Sequence, residues 1–175
     1  MGLLSPIFKT LDNNAAAKAA YAGEFDKAFA LVEKGADINY SRWVDGPGED
    51  GGGIGNIGYA AILRGDVKAL EKALDLGLNP DLQSPYRSPL VVFAIMNKQE
   101  EAAKLLVNRG ADVDSFRLSD FFSPLALTRI YDMPEVGKLI EQKLSPAQLL
   151  AARDADIPQA QQQPARQAKK NCLNP

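Results

Sequence analysis

One short segment recurs along the chain with nearly the same residues each time. Residues 35–39 read Gly-Ala-Asp-Ile-Asn, residues 77–81 read Gly-Leu-Asn-Pro-Asp, and residues 110–114 read Gly-Ala-Asp-Val-Asp. The second and third copies begin 33 residues apart, and the first and second begin 42 apart, which is one period of 33 plus nine inserted residues. A fixed period of this length is typical of repeat folds, in which each unit stacks on the next.

Apolar residues at helical spacing precede each copy of this segment, and a fourth such stretch lies before residue 143. A glycine just past a helix can adopt the left-handed conformation that ends it without a Cβ clash. A shorter helix is predicted ahead of each of these stretches, at residues 15–22, at residues 57–64, and after the Ser-Pro pairs at 88–89 and 123–124. Serine can cap a helix and proline suits its first position, and Asp66 and Asp132 are predicted to cap second helices.

The predicted unit is therefore a helix, a tight turn, a second helix and an extended connection. Such a pair cannot bury its apolar face alone, so neighbouring pairs must stack. The sequence predicts an all-α fold, a helical-repeat solenoid of stacked antiparallel helix pairs, in a domain covering residues 1–155. The repeats fall at about 13–39, 56–80, 88–114 and 123–143, with capping helices at 3–11 and from Ser145 onward. Residues 156–175 lack apolar side chains to bury and are predicted to form a disordered tail.

Several of these motifs together resemble the ankyrin-repeat family, whose unit runs Thr-Pro-Leu-His-x-Ala-Ala-x-x-Gly, then a Val-x-x-Leu-Leu helix, then Gly-Ala-Asp-Val-Asn. The resemblance covers about residues 13–143, but the histidine of the opening motif is absent and the insertion after Asn39 is unusual. The matching stretches are Ser-Pro-Leu at 88–90 and 123–125, Ala-Ala-Tyr-Ala-Gly at 19–23, and the closing segments at 35–39 and 110–114.

Composition removes most catalytic chemistry. The sequence has no histidine, which excludes Ser-His-Asp and Cys-His catalysis and imidazole metal sites. Its one cysteine, Cys172, cannot form an internal disulfide. We therefore expect no enzymatic activity, no cofactor and no metal. The net charge of −2 without a dense basic block argues against nucleic-acid binding, and no apolar run is long enough to cross a membrane. No secretory signal is recognisable, so a cytoplasmic location is expected.

The insertion, residues 40–55, is rich in glycine and is predicted to be a long irregular loop. Its tryptophan, Trp43, either packs onto the core or serves as a binding anchor. Residues 53–58 spell G-x-G-x-x-G, but the residues before them do not suit a strand, so a flexible hinge is favoured over a nucleotide site. The carboxylates of Asp45, Glu49 and Asp50 could attract Ca²⁺, but their spacing is not that of an EF-hand, and a solvated acidic loop is favoured.

The resemblance implies that a protein partner lies across the concave face, meaning the loop tips and the exposed side of the first helices. We expect a non-catalytic protein-binding module, monomeric alone. The alternatives are a dedicated inhibitor or immunity protein that neutralises a bacterial toxin or effector, and an adaptor that uses the tail as well as the repeats. Aromatic residues and arginine dominate binding hot spots. The candidates of these types are Tyr40, Arg42 and Trp43 in the first connection, Tyr86 and Arg87 in the second, Phe116, Arg117, Phe121 and Phe122 in the third, and Tyr21, Arg64 and Tyr131 near the ends of first helices.

Overall fold

A computed structural model describes residues 6–45, 52–85, 87–114 and 123–150, except for the side chains of residues 6–11. These residues form helices joined by short turns, together with one small antiparallel sheet. The elements, in chain order, are α1 (Pro6–Ala22), α2 (Phe25–Glu33), β1 (Arg42–Val44), β2 (Gly53–Gly55), α3 (Ile57–Arg64), α4 (Val67–Asp75), α5 (Leu90–Met96), α6 (Glu100–Asn108), α7 (Pro124–Ile130) and α8 (Pro134–Lys143).

The chain divides into two compact units. Unit 1, Met1–Ala111, contains α1 to α6 and the sheet, and unit 2, Asp112–Pro175, contains α7 and α8. In unit 1 the helices pack as the pairs α1 with α2, α3 with α4, and α5 with α6. The first helices also contact one another in chain order, α1 with α3 and α3 with α5, and α4 contacts α6. In unit 2, α7 packs on α8. The prediction of a helical fold built from packed helix pairs is confirmed.

The recurring glycine segment has the same local conformation in each copy. Gly35, Gly77 and Gly110 follow α2, α4 and α6 with φ of 108°, 94° and 89°, in the region that glycine enters without a steric penalty. In each copy the side chain of the third residue accepts a hydrogen bond from the backbone N–H two residues later. The pairs are Asp37 with Asn39 at 2.9 Å, Asn79 with Asp81 at 3.0 Å and Asp112 with Asp114 at 2.9 Å.

Small and branched side chains fill the core of each unit. Four alanines of α1 are buried, which lets α2 and α3 approach its backbone closely. The second helices are further linked through their side chains, because the Lys72 ammonium lies 4.3 Å from the centre of the Phe29 ring. The largest fully buried side chains are Tyr59, Ile62, Leu70, Leu90, Ile95, Leu106, Val91, Val92 and Val107 in unit 1, and Leu125, Ile140 and Val136 in unit 2.

The predicted start of the first repeat was wrong in one respect. A capping helix at 3–11 and a separate helix at 15–22 were expected, but α1 runs without a break from Pro6 to Ala22. Residues 12–14 read Asp-Asn-Asn, a sequence that often ends or caps helices, yet here they lie within one. Burial of Ala16, Ala17 and Ala20 against the neighbouring elements outweighs that weak local preference.

The predicted helix caps have mixed outcomes. The side chains of Asp66 and Ser123 accept hydrogen bonds from backbone N–H groups in the first turns of α4 and α7, as expected. Ser88 caps nothing, because Pro89 takes the N-cap position of α5 and the helix begins at Leu90. Asp132 is not a cap either; it has a φ of 58°, in the left-handed region, and Met133 precedes α8.

The predicted C-terminal helix is present in part. Residues 146–150 are helical, and at its start the Ser145 N–H donates to Gln148 Oε1 at 2.7 Å, as in a capping box. The predicted tail, residues 156–175, lies outside the described residues. Among the helices that the structure describes, none combines the length and the hydropathy needed to cross a bilayer.

Candidate functional site

The insertion contains paired strands rather than only an irregular loop, which corrects the prediction. β1 and β2 are antiparallel, with Arg42 opposite Gly55, Trp43 opposite Ile54 and Val44 opposite Gly53. Residues 46–51, which connect β1 to β2, lie outside the described part of the chain. We refer to β1 and β2 together as the hairpin strands. They contact α1, and β2 also contacts α3.

The glycines of β2 are needed because the strand lies very close to α1. A Cβ on Gly55 would overlap the Val44 side chain and stand 2.9 Å from the Ala17 carbonyl oxygen. A Cβ on Gly53 would stand 2.7 Å from the Tyr21 ring. The G-x-G-x-x-G sequence is therefore neither a flexible hinge nor the start of a βαβ unit, since its strand pairs antiparallel with β1. Only small residues fit here.

Tyr40 and Arg42 hold the other end of the hairpin strands to the same helix. The Tyr40 hydroxyl donates to Asn14 Oδ1 at 3.1 Å, and Arg42 Nη1 donates to the same oxygen at 2.5 Å. Arg42 Nε also donates to the carbonyl of Trp43 at 2.9 Å. Asn14 is separated from Ala17 by three residues, so both lie on the face of α1 that the hairpin strands cover. Tyr40 and Arg42 thus have structural contacts that the sequence did not predict.

Asn56 joins the hairpin strands to α3. It is only 2% exposed, and its side chain uses both of its polar atoms. Its Nδ2 donates to the carbonyls of Ile38 at 2.9 Å and Tyr40 at 3.0 Å, and its Oδ1 accepts from the N–H of Gly58 at 2.8 Å as the N-cap of α3. The buried Asn56 side chain thereby ties the start of the insertion, at Ile38 and Tyr40, to the start of α3.

These contacts create an apolar groove of about 150 Å³ between the hairpin strands and the first helices of unit 1. Its wall on one side is Ile54 of β2, and its floor includes Phe93 of α5. Almost all of the atoms that it exposes are apolar. We call it the unit 1 groove. It is lined by Tyr21, Gly53, Ile54, Tyr59, Ala60, Leu63, Arg64 and Phe93.

The aromatic floor of the groove is rigid. Tyr59 is 1% exposed, its hydroxyl donates to the Leu82 carbonyl at 2.9 Å, and its ring meets Phe93 edge to face with centroids 5.1 Å apart. Burial raises the pKa of the Tyr59 phenol well above its usual value, and hydrogen bonds from Ser84 only partly offset this. The phenol is therefore neutral at physiological pH and does not supply a base to the groove.

Large apolar side chains are exposed on three of the elements in this part of unit 1, α3, α5 and β1. Leu63, at the end of α3, is 59% exposed, although the six residues before it in the same helix are all buried. Met96, at the end of α5, is 39% exposed. Trp43, on the strand that pairs with β2, is 37% exposed, so it is neither fully packed nor fully free. Two first helices and the hairpin strands thus each present a large apolar side chain to solvent.

Arg64 is the charged residue of the groove lining. One of its Nη2 hydrogens is donated to the Tyr21 carbonyl oxygen at 2.9 Å. Its guanidinium also covers Gly23, where a Cβ would stand 2.7 Å from Cζ. Gly23 has a φ of 81°, a conformation that favours glycine, and a side chain there would also displace the Arg64 guanidinium. The side chain is held at the C-terminal end of α1, where a cation also complements the helix dipole.

The sequence-predicted contact residues are only partly brought together. Tyr21 and Arg64 line the groove, whereas Tyr40 and Arg42 are turned to Asn14 and Trp43 stands on the neighbouring strand. The remaining candidates are Arg87, exposed with a φ of 62°; Tyr131, half-buried at the end of α7 in unit 2; and Tyr86, Phe116, Arg117, Phe121 and Phe122, which lie outside the described residues.

Sequence reasoning missed Ile54, Leu63, Phe93 and Met96. Leu63, Phe93 and Met96 fall in predicted first helices but were not singled out, because the candidates were restricted to aromatic residues and arginine at the loop tips and helix ends, and Ile54 was assigned to a loop. One signal could have marked them: α3 and α5 are apolar almost all round, with a single charged residue, Arg64, between them. A helix of that kind in a small repeat unit either is covered on all sides or exposes apolar surface.

Unit 2 has a wider depression of about 330 Å³ between α7 and α8. It is lined by charges of both signs, and Arg129 Nη2 lies 3.8 Å from Glu141 Oε1 across it. Within the described residues, no group of three acidic or cysteine side chains is placed to hold a metal ion. Asp45 is exposed, and its predicted neighbours Glu49 and Asp50 lie outside the described part of the chain. No model of a known protein family matches this sequence.

Proposed function

We propose that this protein is a non-catalytic protein-binding module that holds its partner in the unit 1 groove and on the adjoining hairpin strands. The observation that carries the proposal is that Leu63, 59% exposed, lines an apolar groove beside the edge-to-face pair of Tyr59 and Phe93. Single exposed apolar residues are common and carry no meaning alone, but one that lines an apolar concave site suits a protein interface.

We further propose that the helix pairs form an ankyrin-like solenoid. Two observations support this. The first helices of unit 1 contact one another in chain order, as stacked repeats do. The glycine segment also repeats its conformation, and it links successive copies directly: Asn39 Nδ2 donates to the Gly77 carbonyl at 3.2 Å, and its Oδ1 accepts from the Asn79 N–H at 2.7 Å. In such a solenoid the groove would lie on the concave side.

The chemistry of the groove supports binding rather than catalysis. A catalytic pocket places titratable groups with suitable pKa values around a reacting atom. The groove instead offers apolar walls, one guanidinium and two tyrosines, of which Tyr59 has its pKa raised further from the physiological range by burial. Its volume of about 150 Å³ is also below the roughly 300–1,000 Å³ of typical small-molecule sites. A side chain of a protein partner is the occupant that such a site suits best.

The proposal is tested by affinity capture of partners from the native lysate with the intact protein. Wild type is compared with Leu63→Asp and with a matched control, Leu76→Asp. Leu76 is another exposed leucine, 40% exposed, but it lies at the end of a second helix. We expect the control to retain a partner that Leu63→Asp loses. Equal capture by both variants would contradict the assignment of the groove.

The same experiment separates three versions of the function. A dedicated inhibitor, including an immunity protein that neutralises a bacterial toxin, would capture one partner in stoichiometric amount. An adaptor would capture two partners and lose one of them when the tail is removed. A third variant, Trp43→Ala, should weaken binding by more than about 1 kcal/mol while leaving the melting temperature nearly unchanged, if Trp43 is an anchor. A large loss of stability instead would identify Trp43 as a packing residue.

A further inference from the structure

We infer that the unit 1 groove recognises an acidic apolar segment of a protein, in which one bulky apolar side chain fills the groove and a neighbouring carboxylate pairs with Arg64. This inference rests on the proposed function and adds the chemistry of the partner. It rests on two observations: the shape and polarity of the groove, and an arginine that pairs with no carboxylate among the described residues.

Charged residues are rarer on α3 and α5 than on the second helices that pack against them. Together α3 and α5 contain a single charged residue, Arg64. The second helices carry charges of both signs, and several of these form ion pairs. Arg109, just past α6, lies 2.6 Å from Asp75 and 3.4 Å from Glu71, and Lys104 lies 2.9 Å from Glu100. Arg64 is therefore the one charged residue among those that line the groove, although α1 carries other charged residues, among them the exposed Lys18.

Arg64 is available to a partner. No ion pair joins it to a carboxylate among the residues that the structure describes. Within the described part of the chain it donates one hydrogen bond, to the neutral Tyr21 carbonyl, and this bond uses one of its five N–H groups. That bond and the contact with Gly23 hold the guanidinium in place, so less side-chain entropy is lost on binding. A planar guanidinium held in this way suits bidentate contact with a carboxylate.

The position of the cation relative to the apolar surface specifies the segment. Arg64 directly follows Leu63, and both line the groove together with Phe93. A ligand whose apolar side chain touches Leu63 and Phe93 therefore brings its next residues near the guanidinium. The volume of about 150 Å³ accommodates one large side chain. The expected segment has leucine, methionine or an aromatic residue within one or two positions of aspartate or glutamate.

The test is selection of random twelve-residue peptides displayed on phage, with the intact protein as bait. Three baits are compared: wild type, Arg64→Glu and Lys68→Glu. Lys68 is an exposed cation on α4, so its substitution makes the same change in net charge away from the groove. Wild type and Lys68→Glu should enrich the same acidic apolar consensus. Arg64→Glu should instead enrich lysine or arginine beside the apolar residue, because the groove cation has become an anion.

Affinity is then measured by fluorescence anisotropy with the most enriched peptide and with an analogue in which its carboxylates are changed to amides. The analogue should bind wild type about tenfold more weakly, the usual value of one charge-assisted hydrogen-bonded contact. Arg64→Gln should bind both peptides with equal affinity. This variant removes the charge and keeps a polar side chain, and circular dichroism checks that both Arg64 variants retain the wild-type helix content.

Three results would overturn the inference. A consensus with apolar residues but no acids, or the same acidic consensus for Arg64→Glu, would remove the role of Arg64 while leaving the groove as a protein-binding site. Concentration-dependent dimerisation in sedimentation velocity, abolished by Leu63→Asp, would make a second copy of this chain the occupant. Peptides that bind wild type and Leu63→Asp equally would show that selection does not use the groove, and partner capture insensitive to Leu63 would then defeat the proposed function as well.

Discussion

Replacement of Asn56 by alanine should destabilise unit 1 more than loss of a helix cap would. The substitution removes the acceptor for the Gly58 N–H and the donor for two carbonyls, at Ile38 and Tyr40. Loss of an N-cap costs about 1 kcal/mol, and each carbonyl left without a donor in a buried site adds roughly 1 kcal/mol, so we expect a loss of about 3 kcal/mol. That is a large fraction of the stability of a small domain.

The assay is urea unfolding followed by fluorescence. Trp43 is the only tryptophan in the sequence and lies in β1, so its emission reports on the part of the molecule that Asn56 holds. Circular dichroism at 222 nm, recorded in parallel, reports on the helices. We expect the urea concentration at the midpoint of unfolding to be lower than in wild type by both fluorescence and circular dichroism. A loss below about 1 kcal/mol would show that the cap alone matters and would refute the bridging role.

A second substitution, Asn56→Asp, separates the two roles. Its carboxylate can still accept from the Gly58 N–H, but it faces two carbonyl oxygens without a hydrogen to donate. The folded state therefore favours the protonated acid, and the pKa of the introduced carboxyl rises above its unfolded value of about 3.9. The free energy of unfolding of this variant, relative to wild type, is then greatest below the unfolded pKa of about 3.9. It falls as the pH rises through the higher folded pKa. A constant difference between pH 4 and pH 7 would contradict the geometry.

Two matched pairs of substitutions test the local reasoning, each by thermal and urea unfolding. Gly55→Ala should cost about 1–3 kcal/mol, because the new Cβ would crowd the Ala17 carbonyl. Gly77→Ala should cost about 1–2 kcal/mol from backbone strain alone, because Gly77 has a φ of 94° but open space around it. Asparagine should widen this difference, costing more at Gly55 because it is larger and less at Gly77 because it tolerates the left-handed region. Ser123→Ala should cost about 1 kcal/mol, because it removes the cap of α7. Ser88→Ala should be neutral or stabilising, because the buried Ser88 hydroxyl has no hydrogen-bond partner among the described residues. Equal losses of stability at the two serines would contradict this difference between the Ser-Pro pairs.

The parts of the fold that follow from local sequence were predictable. Gly35, Gly77 and Gly110 end helices because the left-handed conformation is a property of one residue and its immediate neighbours. Amphipathic spacing located the second helices for a similar reason: a helix reports its buried face through a short window. The same reasoning placed Ser123 as a cap, since capping depends on the next three residues.

The insertion was not predictable in this way. Its strands are three residues long and contain glycine, which is depleted in strands, so local preference favours a loop. What makes them strands is contact with residues far away in the sequence, namely Ala17 behind Gly55 and Tyr21 behind Gly53. Leu63 illustrates the same limit in reverse. Its helical spacing fits a core position, but whether it is covered depends on which neighbour packs there, and none of the described elements does.

The insertion also explains why binding would be specific to this protein rather than common to any stack of helix pairs. The repeated elements supply the floor of the groove, because Ala60, Leu63 and Phe93 come from successive first helices. The wall comes from Ile54 in the insertion, and it stands where it does because Gly53 and Gly55 allow β2 to lie against α1. A stack without the insertion would leave this surface open on one side. The insertion therefore supplies a wall that the repeated elements alone do not provide, in the same groove that Arg64 lines.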